Sequence, residues 1–552
     1  MGIARYFYTI RYLKPIQVFS RVWFVLHKPS VRLVSITALR KKTGIWVSPV
    51  VRETSMLSPT RFRFLNEEHD LSSVSDWNNS VWEKLWLYHL HYFDDLNAAD
   101  AVVRADWHRD LMARWITENP VGRGNGWEPY PISRRVVNWI KWGLAGNVLP
   151  KAAVENLAVQ ARFLYKRLEW HLLGNHLLAN AKALIYAGLF YEGDEADHWL
   201  KKGASIFLRQ LKEQVLDDGG HFERSPMYHA QVLEDILDVL NAVNAFSNCA
   251  FSDREDVLRQ CESVSGNMLE WLRTMCHPDG QIVLFNDAAL GDAADLAALE
   301  EYAAHLHVVE SKPQPTCGPG GAVRFTHLSD TGYVRVDGDD MTAFLDVASI
   351  GPDYLPGHAH ADTLSFELSL GRQRVIVDSG ISRYGEGPER LRQRGTAAHN
   401  TVAIDGQDSS EVWGGFRVAR RAYPFDLKMD ADEGIVSCAH DGYRRLAGSP
   451  VHRREWRFGA HGLCVHDRIE GSFRCAVGRF HFHPELEVIS SSDSCKAGKI
   501  ILPGGRQMTW HIESGRGGLI EKTWHPEFGV SLPNKCLEVY FGGPETRIEF
   551  SW

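Results

Sequence analysis

SKPQPTCGPGGAV (311–323) carries three prolines and three glycines, and it separates two stretches of different periodicity. Neither a helix nor a strand propagates through such a run, so it reads as a joint between domains. Before it, AVENLAVQARFLYKRLEWHLL (153–173), HLLANAKALIYAGLFYEG (176–193) and HAQVLEDILDVLNAVNAF (229–246) repeat apolar residues at i, i+3, i+4 and i+7, the stripe of an amphipathic helix. NPVGRGNG (119–126), VLPK (148–151) and DDGG (217–220) punctuate these runs, and no strand-like alternation stands out between 50 and 310. After the joint the period is two. GYVRVDGDDMTAFLDV (332–347) reads as strand, Asp-Gly turn, strand, and TLSFELSLGRQRVIVDSG (363–380) as a hairpin turning at Gly371-Arg372. REWRFGAHGLCVHDRIEG (454–471) and RFHFHPELEVIS (479–490) continue the pattern. Helices in one block and strands in the next put α and β in separate layers and exclude a doubly wound sheet. The helical hairpins suit the quasi-repeats of an α/α toroid, and the strands are numerous enough for a sandwich. Three parts are expected: a segment over 1–50, a helical toroid over 51–312 and an antiparallel β-sandwich over 320–552.

The chain has 552 residues, 44% apolar and 24% charged, with a net charge of −8. That excludes a disordered or fibrous protein and, on charge, a nucleic-acid binder. Nine cysteines at irregular spacing, without a CxxC, argue against a disulfide framework or a Cys-based zinc site. No charge-free apolar run reaches the about 18 residues of a membrane span. Residues 1–42 hold nine Lys/Arg and no acid, interleaved with Tyr6, Phe7, Tyr8, Tyr12, Phe19, Trp23 and Phe24. Arg5, Arg11, Lys14 and Arg21 interrupt any signal-like apolar core, so no cleavable signal is read and a cytoplasmic or membrane-peripheral location is expected, with the periplasm open. The segment suits peripheral contact with an anionic membrane, or a helix docked on the body with its charges in water.

Four clusters carry chemistry. Gly174-Asn175-His176 opens a periodic helix, where Asn175 is either an N-cap or an amide aimed into a cleft. GGHFERSPMYH (219–229) packs Glu223, Arg224, Tyr228 and His229 between two helices, a density of polar chemistry more typical of sites than of plain surface. GHAHAD (357–362) precedes a strand; if extended, His358, His360 and Asp362 share one face at ~6.6 Å intervals. With Asp378 and His399 further on, neutral His nitrogen and carboxylate oxygen suit Zn²⁺, provided His360, Asp378 and His399 lie on neighbouring strands. Finally, Trp127, Tyr130, Arg134 and Asn138 fall together in WEPYPISRR and its continuation; Arg134 and Asn138 share a helix face, offering a sugar platform with a cation for a carboxylate, or simply a Pro-capped helix start. There is no phosphate-binding loop and no GxSxG elbow.

In this order NHLLAN (175–180), GGHFERSPMYH, GHAHADTLSFELS (357–369), VDSG (377–380) and AHNTV (398–402) resemble the heparinase II/III-like polysaccharide lyases and their alginate-lyase relatives, over roughly residues 80–410. The resemblance implies an incomplete (α/α) toroid followed by an antiparallel β-sandwich. It implies that Asn175, with His176 beside it, neutralises a uronate carboxylate, that Tyr228 and His358 are catalytic, and that His360, Asp378 and His399 bind a structural zinc. Tyr384 and Arg394 sit where relatives have a cleft tyrosine and arginine. Leu178 stands where some members carry an acidic helper. The implied partner is an acidic polysaccharide or oligosaccharide, in a bacterium's own capsule or exopolysaccharide metabolism.

The chemistry suits the residue types. β-Elimination removes the C5 proton of a uronic acid and expels the C4 oxygen; a donor on the carboxylate stabilises the enolate-like intermediate by ~3–4 kcal/mol, and imidazole or phenol serves as base and acid. Two alternatives stand beside it. An α/α-toroid glycoside hydrolase needs a carboxylate pair ~5–9.5 Å apart, for which Glu223 with Asp217 or Asp218 are the motif-linked candidates. A non-catalytic glycan-binding protein on a lyase fold predicts binding without turnover.

Overall fold

A computed structural model describes residues 2–33, 38–309, 323–491 and 494–552. The Pro/Gly joint lies outside the described residues except for Val323. No described helix is long and apolar enough to cross a membrane.

Two short helices, α1 (Ile3–Ile10) and α2 (Pro15–Leu26), precede the toroid. Its helices are α3 (Lys84–Tyr92), α4 (Ala105–Glu118), α5 (Pro129–Leu144), α6 (Lys151–Lys166), α7 (Gly174–Phe190), α8 (Asp194–Gln214), α9 (Pro226–Ala245), α10 (Arg254–Thr274) and α11 (Leu296–His305). Helix α7 lies against α5, α6, α8 and α9. All of its residues but His176 are buried, and its composition of Leu, Ala and Ile on every side is that of a helix enclosed by others. Truncating one of its buried leucines to Ala would cost ~2–5 kcal/mol. The apolar run at 153–173 is not one helix: α6 stops at Lys166, and Leu173 and Gly174, both at positive φ, turn the chain into α7.

One element departs from the helical expectation. Arg61–Phe64 (β1) and Glu67–Asp70 (β2) form a hairpin. RFRF alternates exposed and buried, and Leu65 and Asn66 both sit at φ near +55° to +60°, the left-handed pair that a two-residue hairpin turn requires.

The β half opens with a five-stranded antiparallel meander, β3 (Arg324–Leu328), β4 (Tyr333–Asp337), β5 (Met341–Asp346), β6 (Phe366–Leu370) and β7 (Gln373–Ile376). The β6–β7 turn falls at Gly371-Arg372, with Gly371 at φ +55°. Helix α12 (Pro388–Arg394), strand β8 (Val402–Ile404) and a small ribbon, β9 (Val412–Trp413) with β10 (Arg417–Val418), follow. An eight-stranded antiparallel sheet then runs from Pro424–Asp430 at one edge to Glu487–Ser490 at the other. A four-stranded sheet joins β8 to Ala476–His481, Leu532–Tyr540 and Arg516–Trp524. Val336, Leu345 and Phe366 share one core with Trp456, Trp510, Leu537 and Ile548, so the sheets face one another across a dry layer. A smaller core of Trp271, Val283 and Phe285 against Leu328, Tyr333 and Phe344 welds the toroid to the β half. The fold is the toroid-plus-antiparallel-β architecture anticipated above.

Candidate active site

The chemical clusters meet where the two halves join. Asn175 is the second residue of α7, not its cap. Its backbone N–H donates to Glu223 Oε1 at 3.3 Å; the residue is 8% exposed, and its side-chain amide has no protein partner among the described residues. Beside it, His176 Nδ1 lies 3.1 Å from Glu169 Oε1 and its ring 4.7 Å from that of Tyr130. Burial opposes a charge on His176, but Glu169 outweighs it and raises the imidazole above its ordinary range.

Ser225 caps α9, its Oγ accepting from Tyr228 N at 3.2 Å and donating to the Asp287 carbonyl at 2.6 Å. That cap, with Pro226 in the first turn, fixes Tyr228 where the toroid faces the β half. The Tyr228 ring stacks on His358 with centroids 3.8 Å apart, and its hydroxyl is 2.9 Å from that of Tyr384. Burial first, then Tyr384 and the Asp287 charge, push the Tyr228 phenol well up. His358 Nδ1 is 2.9 Å from Asp287 Oδ2, and its Nε2 is 3.4 Å from Glu223 Oε2. Glu223 is 1% exposed, and burial lifts its carboxyl above the usual range. A continuous path thus links the Asn175 backbone, Glu223, the His358 imidazole and the Tyr228 and Tyr384 phenols.

Asp287 is the hub that sequence reasoning missed. Besides His358 it accepts from His360 Nε2 at 2.8 Å and from both terminal nitrogens of Arg390, Nη2 at 2.6 Å. Burial works against its charge, yet Arg390 and the two imidazoles hold it well below the usual carboxylate range. The available signal was the polar pair Asn286-Asp287 inside the apolar run IVLFNDAAL (282–290); a carboxylate there must be paired.

The 357–362 segment is an irregular loop, not an extended strand. It still gathers metal-type donors: ligand atoms of His360, Asp362 and His399 lie within 4.8 Å of one another, all buried. His360 Nδ1 and His399 Nε2 have no hydrogen-bond partner, which is what a pair of ligating nitrogens needs. Asp378 stands elsewhere than the expected set requires. Its Oδ2 meets His399 Nδ1 at 2.7 Å and its Oδ1 accepts from Gly380 N, so it orients His399 from behind while Asp362 takes the facing position.

Several expected substrate contacts are committed to structure. Trp127 is 3% exposed, donating to the Asn119 carbonyl at 3.1 Å and packed on Trp115 and Phe163; it is core, not a sugar platform. Arg134 and Asn138 do share a helix face, but both turn to Asp94, at 3.5 and 2.7 Å. Arg224 reaches the backbone carbonyls of Ser349 and Asp330 and braces the two halves. Arg394 is fully buried and donates to the Ala359 and Gly415 carbonyls, so it shapes the loop that carries His358. Glu223 is buried, accepting from the Asn175 backbone N–H. Of the carboxylates considered for hydrolysis, Asp218 Oδ2 is spent on the backbone N–H and hydroxyl of Thr331, and Asp217 is exposed.

Comparison with known proteins agrees with this architecture. Residues 115–312 match the family profile "Heparinase II/III N-terminus" and residues 321–552 match "Heparinase II/III-like, C-terminal". A heparin-sulfate lyase of Bacteroides stercoris is 29% identical over 338 residues, 58% of this chain and 47% of that protein; the alignment thus spans about half the length of that relative. FtsZ-localized protein C of Caulobacter vibrioides is 25% identical over 470 residues, 77% of this chain and 73% of that one. The crystal structure of heparinase III shares the fold with a TM-score of 0.69 at 16% identity, covering 97% of this chain and 88% of that one. With both halves matched in order along most of its length, the chain belongs to the heparinase II/III-like family.

Proposed function

We propose that this protein is a polysaccharide lyase that cleaves a uronate-containing acidic glycan by β-elimination. One observation carries the reading: at the seam between the halves the Tyr228 phenol stacks on the His358 imidazole, and Glu223 links that imidazole to the backbone of Asn175, whose side-chain amide has no partner among the described residues. The Asn175 amide donates to the substrate carboxylate, with His176 adding positive charge, so that negative charge developing at C5 is delocalised. The phenol is held protonated by burial, so the resting site offers His358 as base for the C5 proton and Tyr228 as acid. The C5–H and C4–O bonds break, a C4–C5 double bond forms, and the leaving C4 oxygen takes the tyrosine proton; no water is consumed. Asp287 orients the imidazole through Nδ1, with Glu223 Oε2 3.4 Å from Nε2 and not hydrogen-bonded to it, and Tyr384 steadies the phenol.

His360, Asp362 and His399 would hold a zinc ion, with Asp378 setting the orientation of His399. Such an ion supplies a fixed anchor for the loop that carries His358, a structural task with no metal-bound water. The setting in bacterial capsule or exopolysaccharide metabolism rests on the family and on the basic N-terminal segment. The test is a panel of acidic glycans monitored for the ultraviolet absorbance of unsaturated uronate ends. Absorbance that appears with the wild type and is lost in Tyr228→Phe supports the reading. Release of reducing ends without absorbance, or no turnover of any uronate glycan, overturns it.

A further inference from the structure

Helix α2 is built inside out. Its polar residues Gln17 and Ser20 face the body of the protein, with Gln17 only 4% exposed and donating to the Tyr354 carbonyl at 3.1 Å. Apart from Phe24, its large apolar residues face away: Phe19 is 81%, Trp23 60%, Val25 68% and Leu26 78% exposed. Phe7 and Ile10 of α1 continue the patch at 62% and 55%. A surface helix of a globular protein does the reverse, and a contiguous exposed apolar patch marks an interaction site.

The patch is not loosely attached. Tyr6 packs edge-on against Trp413, whose Nε1 donates to Thr9 at 3.0 Å. The Tyr12 ring lies under Arg421 at 3.9 Å, Lys14 pairs with Glu213, and Phe24 packs on His171 and Arg167. The two helices therefore strap the β9–β10 ribbon to the toroid and hold their apolar side outward.

Charge selects the partner. The chain as a whole carries −8, yet residues 1–42 hold nine Lys/Arg and no acid. Arg21, Lys28 and Arg32 are exposed and form no ion pair among the described residues. A cavity of about 200 Å³ beside Trp23 and Phe24 adds Lys166, Arg167 and Lys202 to the same edge. At 8 and 12 residues, the helices are far shorter than the about 20 residues needed to span a bilayer, so they fit the plane of its surface.

We propose that α1 and α2 seat this protein on an anionic phospholipid bilayer, with Phe19, Trp23 and Leu26 in the headgroup–acyl boundary and Arg21, Lys28 and Arg32 on the phosphates. Phe416, between the two strands of the ribbon that α1 grips, also packs on Tyr384, so the seated helices and the candidate site share that ribbon.

The test is co-sedimentation of the full chain with vesicles of phosphatidylcholine alone and of an equal mixture with phosphatidylglycerol. The wild type is expected on the mixed vesicles, to be released by salt, and to ignore phosphatidylcholine alone. Each of Arg21→Gln, Lys28→Gln and Arg32→Gln is expected to weaken binding about fivefold, and Phe19→Glu with Trp23→Glu to abolish it while circular dichroism stays unchanged. No sedimentation of the wild type at low salt, or binding indifferent to lipid charge, overturns the proposal. So does a dimer in light scattering that Phe19→Glu with Trp23→Glu dissolves, since the patch would then join copies of this chain. Vesicle binding needs no turnover, so its failure is separable from failure of the lyase reading.

Discussion

Asn175 and Tyr228 answer to different tests. The Asn175 side chain has no protein partner among the described residues, so Asn175→Ala is expected to leave the melting temperature nearly unchanged while kcat/KM falls ~10²–10³-fold, read by ultraviolet product formation. Asp287→Asn is expected to do both kinds of damage. It leaves the Arg390 guanidinium buried without its counter-charge, costing ~3–5 kcal/mol in urea unfolding, and it frees His358 to turn. His176 supplies a pH signature. Its imidazole is raised by Glu169, so its cation, and the stability that the Glu169 contact contributes, are fully present below the ordinary histidine pKa of about 6.5. Both are lost as pH rises through the higher folded value. KM for an acidic glycan should therefore climb over that alkaline window in the wild type, and His176→Gln should flatten the rise. Asn175, Tyr228 and His358 stood out in the sequence because they sit in short motifs of unusual residue type. Asp287 did not, because one carboxylate in an apolar run shows nothing of the Arg390 and imidazoles that meet it from more than 70 residues away.

At the scale of the element, the start of α7 packs directly on Glu223. Gly174 has φ +54°, and a Cβ there would stand 2.3 Å from Leu355 Cδ2 and 2.8 Å from Glu223 Oε1. Gly174→Ala is therefore expected to cost ~1–3 kcal/mol and to lower activity further by displacing Glu223 from under His358; thermal melting and kinetics separate the two effects. Helix α5 teaches the complementary lesson. Its 3.6 period correctly put Arg134 and Asn138 on one face, but periodicity names a face without naming what it meets, and Asp94 already occupies it. Trp127 was misread for the same reason, since an aromatic beside prolines looks alike whether it floors a groove or fills a core. The β1–β2 hairpin escaped because its two strands are only four residues each, too short for alternation to stand out among helices.

For the whole molecule, the buried donors of His360, Asp362 and His399 make metal content a stability measurement. With the zinc site as proposed, elemental analysis should find about one zinc per chain, and prolonged chelation should lower the melting temperature and slow turnover together, both restored by zinc. His399→Ala should abolish the metal and the chelator response alike. The sequence alone determined the helical block, the strand block that follows it and the hairpin turn at Gly371, because hydrophobic period and turn chemistry are local properties of the chain. Only the tertiary structure decided which polar groups are spent on one another and which stay open. It clustered Asp362 with His360 and His399 and set Asp378 behind His399, sent Arg224 and Arg394 to backbone carbonyls, and joined Asp287 to His358, His360 and Arg390. Those outcomes depend on contacts between residues far apart in sequence, where burial forces every charge to find a partner and the fold alone chooses which.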